Sequence, residues 1–129
     1  TFLRQQYTNE KKLVCQVCEN VMPFKKPDRE YYFEAVEIFT AKFFTEELNF
    51  EKELKQLYLA LCPVCAARYK IFVKGNVDAM RELIGDINGH DESDDECVFS
   101  IEIGLEESTV RFTLTHLVDI RTVLGLEDD

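Results

Sequence analysis

The chain has 129 residues, 46% of them hydrophobic and 31% charged, with a formal net charge of −10, a composition that reads as a folded soluble domain and excludes a disordered tail. No apolar run approaches the roughly 18 residues that a membrane-spanning helix needs, and no charged-then-apolar leader opens the sequence, so no membrane role is expected. Residues 1–81 carry 13 Lys+Arg against 11 Asp+Glu, whereas residues 82–129 carry 2 against 14; the total charge weakens a nucleic-acid role but leaves one open for the near-neutral N-terminal part.

Residues 1–14 predict a short helical lead, a polar turn and an apolar approach to Cys15-Gln16-Val17-Cys18. A second Cys-x-x-Cys stands at Cys62-Pro63-Val64-Cys65. Two residues between cysteines let the backbone turn back and aim both sulfurs at one point. Two such pairs predict one tetrahedral site, in which Cys15, Cys18, Cys62 and Cys65 hold a single structural Zn²⁺ with sulfurs about 2.3 Å from the metal. The alternatives are four buried thiols, disfavoured by the pairing, or two disulfides between near neighbours, disfavoured by strain and composition. Five cysteines, an odd number, fit metal ligation in a reducing compartment, and a cytoplasmic location is expected. A start at Thr1 reads as a domain of a longer polypeptide.

Between the pairs, Val21-Met22-Pro23-Phe24 and the segment from Tyr31 to Phe39 flank a Lys-Lys-Pro-Asp-Arg turn, which predicts a β-hairpin. Its second strand alternates, with Phe33, Ala35 and Glu37 on one face and Tyr32, Glu34, Val36 and Ile38 on the other. Glu51 with Lys55, and Leu54 with Leu57, suit a short helix. Tyr58-Leu59-Ala60-Leu61 runs as an apolar segment into Cys62, and residues 66–73 predict a helix that starts inside the second knuckle and stops near Lys74-Gly75. Asn76 is a candidate N-cap for a helix whose Met80, Leu83, Ile84 and Ile87 form one stripe.

The loop with Asp91, Glu92, Asp94, Asp95 and Glu96 lacks EF-hand spacing and reads as a solvated acidic loop. Residues 98–103 and 109–114 alternate as strands of a second hairpin, with Phe99, Ile101 and Ile103 on one face of the first and Val110, Phe112 and Leu114 on one face of the second, joined by the five residues Gly104 to Ser108. Thr115 can cap a last helix with Leu117, Ile120 and Leu124 along one side and Gly125 as its stop. Cys97 reads as a small buried residue, and His90 and His116 as surface or packed side chains. Gly-x-Ser-x-Gly, P-loop and His-Glu-x-x-His motifs are absent.

The order Cys-Gln-Val-Cys, then Tyr32-Phe33-Glu34-Ala35-Val36-Glu37-Ile38, then Leu59-Ala60-Leu61-Cys62-Pro63-Val64-Cys65-Ala66, resembles the four-cysteine HNH endonucleases over residues 13 to 73. The resemblance implies a zinc-stabilised ββα-metal module, taken as residues 1–75; with the helix, β-hairpin and C-terminal helix read above as an acidic extension packed on it, residues 76–129, the expected fold class is α+β. In that family a strand residue and a His after the last cysteine hold a catalytic metal, while a second strand His activates water. Those positions fall on Val36, Ala66 and Glu37. Valine and alanine offer a metal no lone pairs, so the resemblance implies a module that keeps its structural zinc without catalytic residues.

Two functions follow as expectations. One is a structural or interaction module contacting a protein partner or other domains of the same chain; the acidity of residues 82–129 favours a basic partner surface. The other is an inert nucleic-acid-binding module. There Lys25, Lys26, Arg29, Arg68 and Lys70, with Lys11, Lys12 and Lys74, would face phosphates, and Phe24, Tyr31 or Tyr32 would stack on bases.

Overall fold

The computed structural model describes residues 1–46, 54–91 and 93–125. The lead forms a helix, α1 (Phe2–Tyr7), followed by a two-residue ribbon of β1 (Thr8–Asn9) and β2 (Lys12–Leu13), with Leu3, Tyr7 and Leu13 turned into the core. Glu10 and Lys11 at its tip both have positive φ, 51° and 66°.

The hairpin expected between residues 21–24 and 31–39 is corrected by the structure. The turn is present, closed by Lys26 N–H donating to Glu30 O at 2.8 Å, but only the single bridge Lys25–Tyr31 follows it. The strand that does form, β3 (Glu34–Glu37), pairs antiparallel with β4 (Tyr58–Leu61), matching Glu34 to Leu61 and Glu37 to Tyr58. The physical reason lies in β4, whose Leu59, Ala60 and Leu61 are fully buried and offer a continuous apolar partner. Residues 21–24 offer no such run, since Val21 and Phe24 are exposed and Pro23 has no N–H to give a ladder. Of the two alternating faces, the one carrying Val36 and Ile38 points inward.

Between these strands, Thr40 caps α2 (Ala41–Glu46) by accepting from Phe43 N–H, and Phe43 stacks on Phe39 with ring centres 5.1 Å apart. The helix expected near Glu51 and Lys55 is, in its described part, a single 3₁₀ turn, Lys55–Leu57; Glu51 lies outside the described residues. The chain then runs through β4 into α3 (Pro63–Phe72), which gives a β–β–α unit. Tyr69 fixes that helix to the sheet: its buried hydroxyl donates to Ile38 O at 2.9 Å, and burial raises its pKa.

Asn76 caps α4 (Val77–Asn88) by accepting from the N–H groups of Asp78 and Ala79, and Met80, Leu83 and Ile87 are buried. The second hairpin, β5 (Cys97–Ile103) and β6 (Glu106–Phe112), turns in two residues, Gly104 and Leu105, and not in five. Gly104 takes φ 83° there, a conformation a side chain would resist. Residues 106–108 are polar because their strand borders solvent, which is why they resemble a loop. The last helix, α5 (Leu114–Leu124), is capped by Thr113 and not by Thr115, with Gly125 at φ 69° as its stop. Leu114 is therefore its first residue and no strand residue.

His116 on α5 is completely buried. Its Nε2 lies 2.8 Å from Gln56 O, which can only accept, so Nε2 carries the proton. Nδ1 is then an acceptor for the Tyr7 hydroxyl, which itself accepts from Thr113 N–H. Burial holds the imidazole down to about 4, against roughly 6.5 in an unfolded chain. Stability from the neutral ring is thus full above about 6.5 and lost as pH falls towards 4, on the order of 3 kcal/mol. Thermal melts between pH 7 and 4 should fall more steeply for the wild type than for His116→Phe. Equal slopes would show that the ring carries no such linkage.

Candidate metal centre

The first knuckle is a tight turn in which Glu19 N–H donates to Cys15 O and Cys15 N–H donates to Asn20 O, both at 3.0 Å. Glu19 reverses the chain at φ 61°. The turn aims Val17 N–H at Cys15 Sγ, 3.5 Å away. The second pair sits at a helix start, with Cys62 as N-cap of α3 and Pro63 just inside it, where its missing N–H costs no hydrogen bond. Cys62 and Cys65 therefore lie in the first turn of the helix, beside backbone N–H groups that have no partner within the helix.

The fold brings the two pairs together. The Sγ atoms of Cys15, Cys18, Cys62 and Cys65 all lie within 4.8 Å of one another, and Cys18 Sγ is 4.0 Å from Cys62 Sγ. Four sulfurs about 2.3 Å from a shared ion stand about 3.8 Å apart. The cluster is therefore within about an ångström of tetrahedral closure round one ion. All four are free thiols, with Cys15 and Cys65 buried, Cys62 half-buried and Cys18 exposed.

The four thiols can hold a metal ion and act strongly on one another. The Cys65 thiol hydrogen-bonds to Cys15 and, with the backbone N–H groups of Cys62, Cys18 and Val17, outweighs burial and draws the Cys15 pKa down to about 5. That same bond, burial and the Cys15 charge push Cys65 up, while burial leads the rise at Cys18. Alone, the cluster favours one thiolate; four together require a positive ion between them. With four protein ligands, a tetrahedral ion has no open position for substrate, which is the arrangement of a structural site.

Gln16, which the sequence presents as a spacer, ties this centre to the rest of the molecule. Its backbone N–H donates to Ala60 O at 3.0 Å, and its carbonyl accepts from Arg111 N–H at 2.8 Å. Its side chain repeats both links: Oε1 accepts from Ala60 N–H at 2.7 Å, and Nε2 donates to Arg111 O at 2.8 Å. The knuckle thereby bridges β4 and β6. The only sequence signal is an amide among apolar neighbours, Val14 and Val17.

Of the cations expected to face phosphates, Lys11, Lys25 and Arg29 share the lining of one cavity. Lys25, Lys26 and Arg29 lie on the turn after the first knuckle; Lys25 and Arg29 join Arg4 and Lys11 around a cavity of about 430 Å³ that also holds Glu30. Arg68 and Lys70, on α3, pair with Glu106 and with Glu34, each at 3.3 Å. Phe24 and Tyr32 stack at 5.1 Å, and Lys25 sits 4.7 Å over Tyr31.

The positions matched to the HNH catalytic residues are equally well defined. Val36 and Ala66 are buried, and Glu37 pairs with Lys74 at 3.2 Å. Cys97 is buried beside His90, its thiol raised chiefly by burial. The acidic loop folds on itself, with Asp91 accepting from Ser93 N–H and Asp94 from Glu96 N–H; Glu92 lies outside the described residues. No protein-family model matches the chain, and no curated protein or solved structure is found similar to it.

Proposed function

We propose that the chain is a non-catalytic module on the HNH ββα-metal plan, stabilised by one Zn²⁺ on Cys15, Cys18, Cys62 and Cys65, that contacts a protein partner or another domain of its own chain in the cytoplasm. One observation carries this reading: where that plan needs metal donors, Val36 and Ala66 are buried in the core. A divalent ion placed there would lose its hydration shell and meet only C–H groups. Glu37 is engaged by Lys74 and would at most serve as a base with no metal-bound water beside it. The β3–β4–α3 order, with the second cysteine pair opening the helix, supports the resemblance. The 14 carboxylates against 2 cations of residues 82–129 support a basic partner.

A second reading is favoured by the cavity lined by Arg4, Lys11, Lys25 and Arg29, which narrows nucleic-acid contact to the turn and leaves out Arg68 and Lys70. One gel separates the readings. Labelled single- and double-stranded DNA, incubated with the zinc-loaded chain and Mn²⁺ at about 50 mM salt, where phosphate contacts are strongest, should emerge uncut and unshifted. A shift lost in a Lys25→Glu, Lys26→Glu double variant would establish the second reading. Cleavage lost in Glu37→Ala would overturn both.

A further inference from the structure

Glu102 and Glu107 stand directly opposite each other across the β5–β6 ladder, and both side chains are exposed. Like charges in that position destabilise a hairpin. Arg68 of α3, which reaches this hairpin, pairs with Glu106 instead. They border a groove of about 300 Å³ between β5 and the α3–α4 corner, in which Phe72, Ala79 and Ile101 are the apolar wall and Asp78 and Glu82 the far rim. No Lys or Arg lines this groove among the described residues, although Asp78 also meets Arg81 at 3.3 Å.

The groove also bares a strand edge. Arg111 donates and accepts across to Gln16, so its backbone groups point away from β5. Its partner Val98 must then point away from β6. By the two-residue period, Ser100 and Glu102 do the same, and both residues line the groove. An open ladder edge beside apolar wall and carboxylates has the parts needed to add a strand: main-chain donors and acceptors, a place for alternate side chains, and a charge preference.

We infer that this groove binds an extended segment of a protein partner, alternating lysine or arginine with apolar residues, as a third strand on β5. The inference rests on the interaction reading above and gives it a site and a partner chemistry. The segment's backbone pairs with Ser100 and Glu102, its cations lie beside Glu102 and reach across it towards Glu107, and its apolar side chains meet Phe72 and Ala79. Phe72 is held in place against the turn, 3.6 Å from where a side chain on Gly104 would begin.

The test uses the zinc-loaded full chain and a fluorescein-labelled eight-residue peptide alternating lysine and valine, followed by anisotropy at about 50 mM salt. Binding should weaken at least tenfold in Ser100→Pro, which removes one edge N–H at a position where an edge strand tolerates proline. It should weaken as much in Glu107→Lys, which supplies Glu102 with an internal cation and should raise the melting temperature by about 2 °C. Amide exchange at Ser100 and Glu102 should slow when the peptide is added. Equal binding by both variants, equal binding of a glutamate–valine peptide, no binding, or protection confined to other amides would each overturn the groove. Cut or shifted DNA in the gel above would instead overturn the interaction reading, so the two failures are distinct.

Discussion

Cys62→Ser should unfold the zinc module over residues 1–73, with loss of amide dispersion in NMR spectra and of the cooperative thermal transition. Serine is nearly isosteric, so packing is not the cause. Its hydroxyl is a poor zinc ligand at neutral pH, whereas the thiolate it replaces sits at the N-cap of α3 within the four-sulfur cluster. A structural zinc contributes on the order of 10 kcal/mol of apparent folding free energy in small modules, comparable with the whole 5–15 kcal/mol of a typical domain. Within the first knuckle itself there is only one short turn and one isolated bridge, Val14 to Val21, and the Gln16 bonds anchor it to β4 and β6. A strong chelator should reproduce the effect on the wild type. Unchanged melting of the variant would mean that the apolar core alone supports the fold.

Gln16→Ala should cost about 3 kcal/mol while leaving the metal bound. Ala60 N–H, which is buried, and Arg111 C=O, which is part-buried, lose their side-chain partners, and an unsatisfied buried group costs on the order of 1–3 kcal/mol. For a domain of this size that corresponds to a fall of about 10 °C in melting temperature. Hydrogen exchange should locate the loss along β4 and β6, because those are the strands that Gln16 joins. Gln16→Glu discriminates further, since a carboxylate can still accept from Ala60 N–H but faces the Arg111 carbonyl with no proton to donate. It should be destabilised at neutral pH and recover partly where the new acid is protonated. A variant that loses zinc in parallel with stability would show that Gln16 acts through the cysteines and not through the strands.

What the sequence made legible is local chemistry. The paired cysteines, the Asn76 cap, the stripe of Met80, Leu83 and Ile87, and the alternation of Phe99, Ile101 and Ile103 are each written within a few residues, and each appears in the fold. Partner choice was not legible. Residues 31–39 have the alternation of a strand, but that pattern is satisfied equally by a neighbour across a turn and by β4 twenty residues on. The burial of Leu59 to Leu61 decides between them, and burial is a property of the assembled core. The connection after β5 was misread for a related reason, since an edge strand such as residues 106–108 is as polar as a loop.

Gln16 and His116 mark the same limit inside the core. Gln16 is only a spacer in its motif and His116 belongs to none, yet each links three distant segments: Gln16 joins the first knuckle, β4 and β6, and His116 joins α1, the 3₁₀ turn and α5. Buried polar residues of this kind are chosen by partners far away in sequence, so periodicity carries no trace of them. The cations behave likewise at the surface. Lys25 and Arg29 gather with Arg4 and Lys11 only because α1 and the turn meet, while Arg68 and Lys70 are taken by Glu106 and Glu34.

X-ray absorption at the zinc edge, on chain purified under reducing conditions with its metal content measured, bears most directly on the four-sulfur centre. One zinc per chain with four sulfur neighbours at about 2.3 Å is the predicted result. A substoichiometric metal, nitrogen or oxygen in the coordination shell, or thiols recovered as disulfides would contradict it.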